Sequence, residues 1–289
     1  MPEGWEWDDT LFAGAAAFYE RGRLPYPAGL ADALADALDA DAAPKPCRLL
    51  DVGCGPGTVA RRVAHRFDEV VGVDPDREML ATAEALAAAA GITNAQWVLA
   101  RAEELPVMGV GAFRAATFAQ SFHWMDRLAV ARAVLDLLEP EGAFVHVDVR
   151  HRPPVEAGSG AAHPAPPNDE LLTLVRRYLG PQRRAGQGVL AHGTPSGEAA
   201  VLAEAGFGAP DLVAVPGGDH LSRTGDDVIA GHLSTSWSAP HLFGDRLDAF
   251  VADAGALLRA ASPEGLFTER VPDVTLHVYR RTNHAQGAR

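Results

Sequence analysis

Leu49-Leu50-Asp51-Val52-Gly53-Cys54-Gly55-Pro56-Gly57 runs from an apolar strand into three alternate glycines, and a helical stripe of Val59, Val63 and Phe67 follows. Glycine lets the main chain turn and approach a ligand without a side chain in the way. The first N–H groups of a helix starting near Thr58 have no partner within the helix. Strand, turn and helix in this order suit a nucleotide-like ligand, although clustered glycines also make ordinary tight turns. Val70-Val71-Gly72-Val73-Asp74, a second buried strand with an acidic end, gives the turn its partner.

Upstream, Leu30, Ala33, Leu34, Ala37 and Leu38 form an amphipathic stripe that predicts a helix over 28–40, ended by Pro44 and Pro46. Downstream, the pattern predicts strands near 47–52 and 69–74, an alanine-rich helix over 76–90 stopped by Gly91, and strands near 96–100 and 114–119. A helix over 127–138, closed by Pro140 and Gly142, precedes a strand from Ala143 to Val149. Apolar strands alternating with helices imply a parallel sheet covered on both faces. The expectation is a doubly wound, seven-stranded, mostly parallel α/β fold, Rossmann-like, with a helical cap. Prolines break the pattern over 151–167, which reads as a loop leaving the ligand edge. Helices are expected at 168–179, 196–205, 224–233 and 244–260, and extended segments at 211–215 and 270–280 would complete the sheet. The chain is thus expected to divide into N-terminal helices of the cap (1–45), a binding core (46–150), and a cap insertion with the last strands (151–289).

Composition narrows the function. A net charge of −13, with Arg61-Arg62 and Arg183-Arg184 as isolated basic pairs, argues against nucleic acid. The acidic start around Trp5 and Trp7 lacks an export signal, and the alanine runs are too short or too interrupted to span a bilayer. Two cysteines, Cys47 and Cys54, give neither a disulfide framework nor a zinc site, which suits a reducing, cytoplasmic setting.

Spacing separates the nucleotide ligands. A dinucleotide fingerprint places glycines at its first, third and sixth positions, but the sixth position from Gly53 is Thr58. Asp51 beside the loop would repel a pyrophosphate and suits a cationic ligand bearing an ammonium and a sulfonium. That favours S-adenosylmethionine. With Ala102-Glu103 and Gln120-Ser121-Phe122-His123-Trp124 following in order, the chain resembles class I S-adenosylmethionine-dependent methyltransferases, close to the family 11 small-molecule type. The matches run from Tyr19 to about Val149, and the family's C-terminal pattern recurs at 232–280.

The resemblance implies a donor site. Asp74 would hold the ribose hydroxyls, and Met79 would lie against the adenine, though a helical Met also serves as core. Ala102 and Glu103 would meet the adenine edge. Gly53, Gly55 and the Gln120 carbonyl would contact the methionine part. Tyr19, Arg23 and Tyr26 match the segment that closes over the donor, with Arg23 facing its carboxylate; alternatively Pro25 and Pro27 only start the next helix. His123 is the catalytic candidate, as a neutral imidazole able to take a proton from a hydroxyl or amine, and a structural role fits it equally. Trp124, Asp148, His232 and Trp237 are candidate substrate contacts, while His232 and Trp237 also fit a helix end. No metal is expected. The implied function is methyl transfer to an O, N or C atom of a small molecule in secondary metabolism. The alternatives are a non-methylating cyclase or decarboxylase on the same fold and a donor-binding protein without catalysis. Oligomeric state is not legible.

Overall fold

The computed structural model describes residue 8 and residues 10–150, 161–185, 188–189 and 196–282. Trp5, Trp7 and the first ten residues of the Pro-rich stretch lie outside them. The chain enters through α1 (Ala16–Gly22) and α2 (Leu30–Ala37). It then alternates through β1 (Arg48–Val52), α3 (Thr58–Val63), β2 (Glu69–Asp74), α4 (Arg77–Ala89), β3 (Ala95–Leu99), β4 (Phe113–Ala119), α5 (Arg127–Leu137) and β5 (Leu138–Arg150). The second half carries α6 (Asn168–Leu179), the short β6 (Arg184–Ala185) and β7 (Gly188–Val189), α7 (Glu198–Ala205), β8 (Asp211–Val215) and β9 (His220–Thr224). It closes with α8 (Gly225–Leu233), α9 (Leu247–Ala261), β10 (Leu266–Arg270) and β11 (Asp273–Arg280).

One sheet takes seven strands in the order β3-β2-β1-β4-β5-β11-β8. β1 to β5 run parallel, and β11 runs antiparallel to both β5 and β8. The order reverses between β1 and β4, and such a switch point opens a crevice at the carboxyl ends of the strands.

Alternation along each strand feeds two cores. Leu49, Val145 and Val147 face α2 and α3 on one side, while Leu50 and Phe144 face α5 and α7 on the other. Leu49 and Leu50 are both fully buried, each contributing about 1.5–3 kcal/mol. A third core joins α6, α8 and α9 through Leu171, Val228, Phe250 and Phe267, and forms the helical cap.

Two boundaries differ from the sequence reading. Pro140 and Gly142 do not lie beyond the sheet but within an irregular entry to β5, where pairing jumps from Phe113–Leu138 to Ala115–Ala143. A bulge of this kind absorbs the missing proline donor. The extended stretch expected at 270–280 is also interrupted, at Val271-Pro272. Residues before the break pair with β9, Leu266 opposite Thr224, and only those after it enter the main sheet.

The cap is fastened to the N-terminal segment. Arg223, at the end of β9, donates from Nη2 to the carbonyls of Arg21, Gly22 and Asp227 at 3.1, 2.8 and 3.0 Å. Arg21 pairs with Asp227, and Asp227 and Thr224 form a reciprocal capping box at the start of α8. Gly22 lies so close to α8 that a Cβ there would sit 2.3 Å from the Ala230 carbonyl carbon and oxygen.

Candidate functional site

At the switch point, the β1 glycine turn and the end of β2 are one hydrogen-bonded piece. Gly53 and Cys54 donate their N–H groups to the Val73 carbonyl at 2.8 and 3.1 Å. The Asp74 carboxylate accepts from Gly55 N–H at 2.8 Å and from Asp76 N–H at 2.9 Å. Asp76 in turn caps α4, accepting from Glu78 and Met79 N–H groups. Gly53, Gly55 and Gly57 all have positive φ (65°, 54° and 71°). A Cβ on Gly53 would lie 2.6 Å from Ser121 Cβ, and one on Gly57 2.4 Å from the Trp97 ring, whereas a Cβ on Gly55 would meet nothing within 4 Å. The first and last glycines admit neighbouring chain; the middle one faces open space.

That space is a cavity of about 90 Å³, walled by Tyr19, Gly53, Gly55, Asp74, Met79, Ala102, Glu103 and Gln120 among others. The structure therefore gathers eight of the sequence-expected donor residues around one opening. Glu103 is held in place as its Oε1 accepts from Asp126 N–H at 2.9 Å. Gln120, at the end of β4, has φ of 57°, a left-handed conformation that costs a non-glycine residue about 1–2 kcal/mol. Ser121 beside it donates to the Val52 carbonyl at 2.6 Å, fastening β4 to β1.

A second cavity of about 390 Å³ adjoins the first, and Phe12, Tyr19, Gln120 and Trp124 line both. Arg23, Tyr26, His123, His232 and Trp237 are on its wall. Arg23 stacks over the Tyr19 ring at 4.9 Å and donates to the Ser234 carbonyl at 2.9 Å. Three buried polar atoms of this wall have no hydrogen-bond partner: Arg23 Nε, Thr58 Oγ1 and His232 Nδ1. Buried polar atoms are rarely left this way, and here all three border a space that can hold a ligand.

Burial sets the protonation of the site. It pushes Asp74 from its usual acidic range up to about 6, partly offset by the Asp76 and Gly55 amides. It pulls His123 down to about 4, with His146, Arg183 and Arg127 adding to the effect, and His232 down to about 4 as well. Both imidazoles are neutral at pH 7.

Two expected contacts are corrected. Asp51 is only 1 % exposed and stands in neither wall. Its oxygens accept from Ala60 N–H at 3.1 Å and Thr117 Oγ1 at 2.8 Å, binding β1 to α3 and β4. Asp148 also lies outside both walls, because strand alternation sends its neighbour Val149 to the second cavity and Asp148 to the opposite face. There its Oδ2 is 3.9 Å from His277 Nε2. Among the described residues no group of three or more His, Cys, Asp or Glu could hold a metal ion, and no helix is long and apolar enough to cross a membrane. Cys47 and Cys54 are buried and unpaired with each other.

Several wall residues carried no signal in the sequence. Phe12, Asn168, Arg183 and Glu269 come from segments far apart in the chain. Thr58 and Ser121 were legible in principle, as neighbours of residues already singled out.

Comparison with known proteins agrees with this geometry. Residues 49–142 match the methyltransferase domain family. An uncharacterized methyltransferase of Mycobacterium tuberculosis is 37 % identical over 131 residues, 45 % of this chain and 49 % of that protein. A ubiquinone biosynthesis O-methyltransferase of Neisseria meningitidis serogroup C is 30 % identical over 120 residues, 41 % of this chain and 50 % of that one. The chain thus spans about half the length of these curated relatives. In fold it is similar to a protein from Anaeromyxobacter dehalogenans provisionally described as a type II methyltransferase, with 21 % identity, a TM-score of 0.50, and coverage of 90 % of this chain and 97 % of that one. The glycine turn, the β2 acid and the β4 edge all fall inside the stretch that matches the methyltransferase domain family.

Proposed function

We propose that the protein transfers a methyl group from S-adenosylmethionine to an O, N or C atom of a small molecule in secondary metabolism, as a family 11-type enzyme. The observation that carries this reading is the pair of abutting cavities that meet at Gln120 and Trp124, beyond the end of β4. Direct displacement needs the acceptor's nucleophile in line with the donor's methyl and sulfur, and two spaces that share one opening allow that alignment. Open space in front of Gly55 fits the donor's methionine part, whose end would reach into the second cavity, where Arg23 Nε and Thr58 Oγ1 are partnerless. Asp74 would take the ribose hydroxyls on lone pairs its amide donors leave free, with Met79, Ala102 and Glu103 around the adenine. Arg23 would face the donor carboxylate. The acidic chain and the lack of a basic platform favour a small acceptor over nucleic acid, and the free cysteines suit the cytoplasm.

When bound, the donor supplies a methyl already activated by its sulfonium. The protein's task is then alignment, which can be worth ~7–11 kcal/mol. Gln120 and Trp124 border the transfer line, and the walls of the two cavities exclude water around it. His123, neutral at working pH, would accept the acceptor's hydrogen bond as the nucleophile forms. His123→Phe is expected to lower kcat about 100-fold while leaving donor affinity within twofold. Full turnover across pH 6–9 in that variant removes His123 from the proton path.

The donor titration tests the whole reading. The raised Asp74 pKa means that the free protein holds a proton there which the unfolded chain would have lost. This contribution to stability is present below the unfolded value and disappears as pH rises through about 6. Ribose hydroxyls donating to the carboxylate favour its ionised form, so binding near pH 6 should release a proton and show a heat that depends on the buffer's ionisation enthalpy. Below pH 6, affinity should fall by up to about tenfold per pH unit; at pH 8 the buffer dependence should vanish. Labelled donor then has to yield a labelled acceptor. Tight donor binding without any methylated product turns the reading toward a non-methylating enzyme or a binding protein.

A further inference from the structure

The part of the second cavity beyond the donor's methionine end also describes the acceptor, if the donor is seated as proposed. Arg183 lies on its wall, and its charge bears on the His123 ring. Arg183 is exposed at the cavity's rim, immediately before β6, and β6 is anchored by Ala185, which is completely buried against Leu11 and Trp124. Arg183 makes no hydrogen bond or ion pair with any described residue, in a chain of net charge −13 where carboxylates are plentiful. Arg23, the other guanidinium of the wall, is committed to Tyr19, Ser234 and the donor. Among the described residues the single carboxylate on this wall, Glu269, lies 3.6 Å from Arg223 Nε. An amine acceptor would therefore meet unopposed positive charge, and an anion would meet none of its own sign unpaired.

The remaining surface is flat and accepts hydroxyls. Phe12 and Trp124 meet at right angles with centroids 6.4 Å apart, and His232 and Trp237 at 5.8 Å, so aromatic rings border the cavity at two places and suit an aromatic acceptor. His232 Nδ1 is buried and partnerless. A neutral imidazole offers one acceptor and one donor nitrogen, so His123 and His232 can each receive a hydroxyl hydrogen.

We propose that the acceptor is a planar, hydroxylated aromatic carboxylate, with its anionic group on Arg183 and its ring hydroxyls toward His123 and His232. Methyl transfer then goes to a hydroxyl oxygen: the O–H proton passes to the neutral His123 ring and from there to solvent, the O–CH3 bond forms, and the S–CH3 bond breaks with its electron pair left on sulfur as neutral thioether.

The test is calorimetric, on the full chain saturated with S-adenosylhomocysteine. Hydroxybenzoates and hydroxycinnamates are titrated beside their methyl esters and amides. The wild type should bind the carboxylates at least tenfold more tightly than the matched neutral compounds. Arg183→Gln should erase that preference and Arg183→Glu reverse it, both with unchanged affinity for S-adenosylhomocysteine. Equal binding of the esters, a preference that survives Arg183→Gln, or no binding by any pair while S-adenosylhomocysteine binds, overturns the proposal and leaves the donor site standing. Failure of S-adenosylhomocysteine itself to bind overturns the donor reading, and this inference with it.

Discussion

Replacing Asp74 by alanine will weaken S-adenosylmethionine binding by about 100-fold or more. Asp74 is 8 % exposed and is bound to both halves of the site, through Gly55 and Asp76. Hydrogen bonds to a charged group contribute about 1.5–3 kcal/mol each, and two ribose hydroxyls on one carboxylate account for the predicted loss at about 1.4 kcal/mol per tenfold. Alanine also releases the Gly55 amide, so the turn loses the support that holds it open. Asp74→Asn separates these effects. It keeps an acceptor for one amide while removing the buried charge, so the free protein should be no less stable at pH 8 while donor binding still falls. Unchanged affinity in both variants would remove Asp74 from the ribose.

Substituting Gly22 should be strongly damaging although it lies away from the glycine turn. A Cβ there would lie 2.3 Å from the carbonyl carbon and oxygen of Ala230 and 2.5 Å from Gly231 N. These are backbone atoms, which cannot rotate away as a side chain would. Overpacking typically costs about 1–3 kcal/mol, and Gly22→Ala should stand at the upper end because the whole of α1 has to lift. Since Tyr19 and Arg23 move with α1, the donor affinity of any folded Gly22→Ala protein should fall too. Gly55→Ala is the informative contrast: its Cβ would enter open space, leaving the αL backbone as its source of strain. Denaturant unfolding that placed Gly22→Ala level with the wild type would mean that α1 and α8 do not meet backbone to backbone.

The glycine turn and the β2 acid were legible because they depend on neighbours a few residues away. A strand, a turn requiring positive φ, and a helix leave their marks in consecutive residues, and so did the periodic faces of α2 and α4. Asp51 shows where adjacency misleads. It directly precedes the loop residues, yet strand alternation and the depth of β1 direct it into the core, to Thr117 and Ala60. Asp148 fails for the same reason: alternation along β5 turns Val149 to the second cavity and Asp148 away from it, and which face of the strand the cavity covers is set by packing beyond the strand. Arg183 and Glu269 reach the second cavity only through tertiary packing, so their positions in the chain gave no hint of a shared wall.

Arg223 and Gly22 are 201 positions apart in the chain, and this has a consequence for the order of assembly. A ribosome that has released the glycine turn and β1 to β5 has made the floor of the site, but α1 then has only α4 and the Glu20–Arg61 pair to hold it and lacks α8. Non-local closure is slow compared with local helix formation, and domains emerge from the N-terminus first. The aromatic segment from Leu11 to Tyr26 is therefore only partly held, through Met79 of α4, until α8 emerges. Competence to hold the donor should appear late in synthesis, as a single event, when the last third of the chain folds back over the first.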